Sequence, residues 1–320
     1  MSMERLAQRT SRRAVCVFAA LAFLLAAGAP GGAEAAVRVQ TPPGALASSG
    51  GAVAAHIARV TDYWTPARMR SARPLDGSGG GEGGAPVASA SYAWVPDSTI
   101  PPFSVNGRIF VRQGGQVGYC SGTAIDSPTR QLVLTAGHCV NSGPVGARGR
   151  SFWSQYLEFV PAYTDGQGPF GVFVAQRRAV YALSPWVRRG NPNFDMGAFL
   201  VYPNAAAQNL ADAVGGGVTI ALDQTRSQQF QTFGYPGRSS RLQECDSPYT
   251  GNDRRTNRLG GEPTLGIRCH WNPGASGGGW LIGGGTAING LTSYGRRRDR
   301  IHTFSPYFSS GSVGILAAGL

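Results

Sequence analysis

Leu132-Val133-Leu134-Thr135-Ala136-Gly137-His138-Cys139 is an apolar run that ends in a small-residue turn bearing a histidine. A general base must be held at a fixed place yet reach a substrate, and the end of a strand pinned by a covalent link meets both needs. Cys139 adjoins the histidine, and Cys120, 19 positions earlier on the preceding apolar run, could close a short loop that anchors it. Around this stretch the texture is uniform from Phe103 onward. Short β-branched and aromatic runs recur between turns: Val105 to Arg112, Val117 to Ile125, Gln131 to Thr135, Gly171 to Tyr181, Met196 to Tyr202, Val218 to Leu222, Gln229 to Gly234, Trp280 to Ile282 and Ala287 to Tyr294. Many short strands separated by Gly, Pro, Asn and Asp indicate an all-β sandwich or barrel pair, not βαβ units. Helical periodicity is weak except around Ala205 to Val214.

A second chemistry-bearing stretch is Asn272-Pro273-Gly274-Ala275-Ser276-Gly277-Gly278-Gly279, one serine in a glycine-dense bend. Glycines there permit backbone dihedrals other residues avoid and let the chain approach a substrate closely. The N–H groups of Gly274 and Ser276 could then meet at one spot as an oxyanion hole. The bare Gly-x-Ser-x-Gly pattern also describes the nucleophile elbow of α/β-hydrolases. That fold needs a helix, an acid and a histidine after the serine, and the sequence here passes to Trp280-Leu281-Ile282 and then glycine again, near its end. An acid to orient the histidine is offered by Asn193-Phe194-Asp195-Met196-Gly197-Ala198, at the head of an apolar strand; Asp223 is its main competitor, and Asp165 and Asp212 are weaker.

In this order, Thr135 to Cys139, Asp195 to Ala198 and Gly274 to Gly278 resemble the trypsin-like serine peptidases of the chymotrypsin fold. Phe233-Gly234-Tyr235-Pro236-Gly237 and Ser293-Tyr294-Gly295 resemble the secreted bacterial branch that includes the glutamyl endopeptidases. The resemblance implies two six-stranded antiparallel barrels with the active site in the cleft between them. It implies Ser276 as nucleophile, His138 as base and Asp195 as the acid that holds the imidazole. It also implies a Cys120–Cys139 bridge, which leaves Cys245 and Cys269 to each other. By the same resemblance the base of the specificity pocket falls at His270, six residues before the nucleophile, with Thr292, Ser293, Tyr294 and Gly295 as one wall. The acid that selects Arg or Lys substrates is missing there. Arg296 or Arg300 nearby could favour an acidic substrate, although glutamyl members carry a histidine where this chain has Thr292. Many family members also carry an acid just before the nucleophile, which pairs with a freshly cut N-terminal ammonium. Here that position is Ala275.

The first 13 residues hold Arg5, Arg9, Arg12 and Arg13, and the apolar run Ala14 to Ala27 and Ala33-Glu34-Ala35 follow, the plan of a secretory signal. The run is too short for a membrane anchor. Ser11 to Val15 also has a twin-arginine look. Cys16 would leave with a signal of residues 1–35, and the four remaining cysteines in an oxidising compartment favour two disulfides over a metal site. No C-x-x-C pair occurs and the histidines are scattered, so neither metal nor cofactor is expected. Residues 36–102 contain the run Gly77 to Gly84 and read as a pro-segment and linker, with Tyr63-Trp64-Thr65-Pro66 as its aromatic docking element; the alternative is an ordered extension of the domain. Residues 103–320 are the working domain.

With 47 Gly and 21 Pro among 320 residues and only 14% charged, the chain is neither a coiled coil nor a charged disordered protein. Its formal charge of +12 comes from 29 basic residues against 17 acids, and every basic residue is Arg. No nucleic-acid fold motif accompanies that charge, so protein or peptide substrates, no nucleic acid, no stable membrane anchor and a monomer are expected. The rival is a catalytically inactive pseudoprotease that serves as a secreted binding module.

Overall fold

A computed structural model describes residues 37–43, 50–75 and 92–318. The expected signal peptide with Cys16 and the run Gly77 to Gly84 lie outside the described residues.

The apolar run before the histidine is strand β6 (Leu132–Thr135), buried at every position. It sits in the first of two sheets, whose other barrel strands are β4 (Asn106–Gln113), β5 (Gln116–Ile125), β7 (Gln155–Pro161), β8 (Phe173–Leu183) and β9 (Gly197–Val201). Antiparallel pairing runs β7-β4-β5-β6-β9-β8 and returns from β8 to β7, which closes six strands into a barrel and leaves none of them a free edge. Ile109, Val133, Phe159, Phe173 and Phe199 fill it, each 0% exposed.

The second sheet has nine strands. Its path is β10 (Thr219–Ile220), β15 (Ala287–Leu291), β14 (Gly279–Ile282), β11 (Gln229–Gly234), β12 (Gln243–Gly251), β13 (Leu265–Ile267), β17 (Asp299–Ser305) and β16 (Tyr294–Arg296). β17 is drawn back toward β15 by the bonds that Leu291 N–H donates to Ser305 Oγ (2.8 Å) and Ser293 N–H to Phe304 O (3.0 Å). Phe230, Leu265, Ile267 and Trp280 pack there around Cys245–Cys269. The fold is thus all-β with two β units, the architecture expected from the strand texture.

The described residues ahead of Phe103 are folded onto both sheets. β1 (Val39–Gln40) pairs with β8, β2 (Arg73–Pro74) runs parallel to β5 at Gly118–Tyr119, and β3 (Tyr92–Trp94) pairs with β12. Between them α1 (Gly50–Tyr63) and α2 (Pro66–Ser71) lie on the first barrel. Trp64 is 4% exposed, its indole N–H donates to Tyr156 O (2.5 Å), and Tyr63 stacks on Tyr156 at 4.0 Å. Docking therefore involves far more than Tyr63 to Pro66.

Candidate active site

β6 hands over to α3 (Gly137–Val140), a single helical turn that carries His138. A short helix needs acceptors for its first N–H groups. Asp195 supplies one, since its Oδ1 accepts from His138 N–H at 2.7 Å while its Oδ2 accepts from His138 Nδ1 at 2.8 Å. One carboxylate thus fixes both the main chain and the ring of the histidine. Asp195 is 2% exposed and takes a third donor, Ser293 Oγ, at 2.6 Å. It follows a 3₁₀ turn over Pro192–Phe194 and stands two residues before the start of β9, which pairs with β6, so the register Thr135↔Gly197 brings acid and histidine together.

Further contacts brace the turn. Cys139 is bonded to Cys120 on β5. Gln113 Nε2 donates to His138 O (3.0 Å), and Ser154 Oγ to Cys139 O (2.7 Å). Trp186 lies beside the imidazole at 6.1 Å between ring centroids and donates its N–H to Asn141 O. It sits on α4 (Ser184–Arg189), which starts with Pro185 in its first turn and stops at Gly190 in the left-handed conformation.

The serine stretch forms two consecutive turns. Ala275 N–H donates to Asn272 O (3.3 Å) and Gly278 N–H to Ala275 O (2.9 Å). Gly274 (φ 98°) and Gly277 (φ 84°) occupy the third positions, the positive-φ place of a type II turn, and Pro273 the second position of the first turn. A Cβ on Gly277 would lie 2.0 Å from Thr135 Oγ1, so only glycine lets this bend press against the end of β6. Ser276 O lies 3.6 Å from Cys139 Sγ and accepts from Ser121 N–H at 2.8 Å, which places the serine residue beside the one that follows His138.

The pocket residues named from sequence are not all neighbours. Ser293 and Tyr294 share a cavity of about 640 Å³ with His138 and Asp195, walled also by Phe152 and Leu259. Thr292 points into the core, where its Oγ1 accepts from Trp280 Nε1 (3.0 Å), and Gly295 is exposed. His270 lines a separate cavity of about 160 Å³ with Tyr92, Trp94 and Trp271. Burial lowers the His270 pKa; the charge of Asp299 opposes this and that of Arg300 adds to it. Arg296 is committed to Asp253, a buried carboxylate that also accepts from Tyr294 Oη (3.1 Å). Burial pushes the Tyr294 phenol up to about 12, opposed by a bond with Thr264 and reinforced by the charge of Asp195. The cluster Cys120, His138 and Cys139 is compact enough for a metal ion, but both sulfurs are in the disulfide and offer no thiolate.

Sequence reasoning placed Ser293 in the pocket wall, and its hydroxyl in fact serves Asp195. It missed Ser121 altogether, because no local pattern announces a hydroxyl that reaches a bend 153 residues away.

A closed antiparallel barrel carrying a histidine–carboxylate pair, with a second sheet that presents a serine in a glycine-dense bend, defines the trypsin-like, chymotrypsin-fold class. Solved structures agree. The protease Anisep from Arthrobacter nicotinovorans is 28% identical, with 72% of this chain and 100% of that one covered at a TM-score of 0.62. The thermostable serine protease AL20 from an extremophilic microorganism is 29% identical over 68% of this chain and 96% of that one, at 0.59. A Glu endopeptidase matches in fold, at 18% identity, 73% and 99% coverage and 0.57. No protein-family model matches the chain, and no curated protein matches it in sequence. The chain is a serine-type peptidase of the trypsin-like class.

Proposed function

We propose that the protein is a secreted serine endopeptidase that acts on proteins or peptides as a monomer, with Ser276, His138 and Asp195 as its triad. The observation that carries this reading is the double grip of Asp195 on His138. With Nδ1–H committed to a carboxylate, Nε2 is the basic nitrogen of the ring. Ser276 Oγ attacks the scissile carbonyl as its proton passes to His138 Nε2. The imidazolium returns that proton to the departing amine, which leaves an ester on Ser276. Water, deprotonated by the same nitrogen, then cleaves the ester and restores the serine.

The turn geometry supports Gly274 and Ser276 as oxyanion donors. A trans peptide points its N–H away from its C=O. Pro273 O is held by Gly237 N–H (2.7 Å) and Ala275 O by Gly278 N–H, so the Gly274 and Ser276 amides are aimed away from those partners. Secretion is supported by the basic and apolar N-terminus and by two disulfides; among the described residues no helix is long and apolar enough to cross a membrane.

The test is a fluorophosphonate probe. Labelling of the wild-type chain that Ser276→Ala abolishes, together with cleavage of a peptide library, is the expected result. A folded chain that takes no label is the binding module instead. The same library shows whether acidic residues are enriched before the cut; with Arg296 paired to Asp253, Arg300 alone of the two arginines remains for that role. Removal of residues 36–102 on maturation belongs to this proposal too. The burial of Val60 and Trp64 favours a second reading, a retained extension, and the N-terminal sequence of the secreted enzyme separates the two. If residues 103–320 alone fold but are inert while the longer form is active, the pro-segment reading fails.

A further inference from the structure

Ala275 occupies the position of the acid that would pair with a new N-terminus, and its methyl group is buried against Gly234 with no charge to offer one. A Cβ on Gly234 would lie 2.8 Å from Ala275 Cβ, and Ala275 is 0% exposed. The bend therefore needs another anchor, and its carbonyls show which. Pro273 O and Ala275 O are held within the second sheet's own loops. The other two, Gly274 O and Ser276 O, are both held by one residue of the first barrel: Ser121 Oγ donates to Gly274 O at 2.9 Å, and Ser121 N–H donates to Ser276 O at 2.8 Å. Tyr235 N–H donates to Ser121 Oγ at 3.0 Å, which fixes the hydroxyl so that its single proton goes to Gly274 O. Ser121 O in turn accepts from Thr135 Oγ1 at 2.8 Å, and the residue is 1% exposed beside the bridged Cys120.

We infer that Ser121 is a positioning residue that locks the nucleophile bend in its working form, in place of an acid–ammonium switch. The inference rests on the peptidase reading above. Its physical basis is that each carbonyl fixes the plane of its peptide. Tying the 274–275 and 276–277 peptides on either side of the nucleophile's own amide leaves the Gly274 and Ser276 N–H groups one arrangement. No newly cut terminus is then required.

Two experiments test it. Fluorophosphonate reacts through the oxyanion site without any knowledge of the substrate, so the second-order labelling rate of Ser121→Ala is compared with wild type well below both melting temperatures. A fall of about 10- to 100-fold is expected, with kcat on a library-derived peptide falling in step and KM within about threefold, the pattern of misaligned oxyanion donors. A purely structural role would lower the melting temperature and leave these rates alone, and that result overturns the inference. Secondly, the chain contains no lysine, so an acylating reagent at neutral pH has the N-terminal amine as its one aliphatic amine target. Acetylation of the active enzyme is expected to leave the labelling rate within about twofold, and a loss above about tenfold overturns the inference. If wild type itself is never labelled, the peptidase reading fails and takes the inference with it. Labelled wild type with an unaffected Ser121→Ala sinks the inference alone.

Discussion

Glu158 on β7 is 0% exposed, lies between Phe110 of β4 and Val174 of β8, and has no hydrogen-bond partner for either carboxylate oxygen among the described residues. Burial raises its pKa well above the ordinary carboxylate value, and no charge opposes that effect. The folded chain therefore keeps a proton on Glu158 at pH values where the unfolded chain has lost it. With the folded pKa above the unfolded one, this group's contribution is fully present below the unfolded value, about 4.3, and is lost as pH rises toward the folded value. In that window the slope reaches at most about −1.4 kcal/mol per pH unit, so the fold loses stability through this one side chain as the pH rises above the unfolded value. Glu158→Gln keeps the shape and cannot ionise. Its amide finds no partner either, a cost that does not vary with pH. Urea titrations of both proteins at pH 5, 6 and 7, in a Ser276→Ala background that prevents self-digestion, give the stability difference directly. That difference should move in favour of the variant as the pH rises, by at most about 1.4 kcal/mol per unit, or about 3–6 °C in melting temperature for a domain this size. A difference that stays flat from pH 5 to pH 7 would refute the neutral, unpartnered carboxyl.

Asp195→Asn keeps the size of the acid while removing its charge, and should lower kcat by about 10⁴ with the fold intact by circular dichroism, because the wrong imidazole tautomer is then favoured. Opening Cys120–Cys139 with two serines and opening Cys245–Cys269 likewise should each cost about 3 kcal/mol in unfolding titrations, since the loops span similar separations of 19 and 24 residues. Only the first should also slow fluorophosphonate labelling, because only that bridge holds the turn bearing His138. Trp64→Ala removes a ring packed on Phe110 and Tyr63, a loss worth about 3–5 kcal/mol. Hydrogen exchange should show α1 and β2 losing protection before the barrel strands do, and uniform loss across the barrel would contradict that order.

Five of the six strands of the first barrel were legible because they carry long β-branched and aromatic runs, and in the second sheet β11 matches its expected bounds residue for residue. Three of the strands that sequence passed over share a cause. β7, β12 and β17 include Glu158, Glu244, Asp246, Pro248, Asp299 and Arg300, residues that usually punctuate strands and are tolerated here by cross-strand pairing. The expected run Ala287 to Tyr294 divides at Thr292–Ser293, where the chain turns to bond Asp195 and Gly278. α1 was hidden by composition. Its Val53, Ile57 and Val60, with Trp64 just beyond its end, do follow helical spacing, but Ala and Gly around them weaken the contrast between faces. His138, Asp195 and Ser276 could be singled out because each stands in a distinctive local context. His270 lines a cavity separate from that of His138 and Asp195, and a spacing of six residues carries no information about which way a side chain turns.

The two halves of the candidate site hold each other's parts. The histidine–carboxylate pair belongs to the first barrel, yet Ser293 of the second sheet supplies the third donor to the buried Asp195. The serine bend belongs to the second sheet, yet Ser121 and Thr135 of the first barrel fix its carbonyls and its glycine approach. A buried carboxylate short of one donor is costly, and a glycine-dense bend without anchors has many conformations to lose. Neither half is therefore at its most stable arrangement until the two are docked, and docking forms all of these bonds together. It follows that Ser293→Ala and Ser121→Ala, although on opposite sides, share a network and should not add: combined, they should slow labelling by less than the product of their separate effects. Strict multiplication of the two effects would show that the barrels carry independent half-sites, and the cross-bracing would then have no bearing on reactivity.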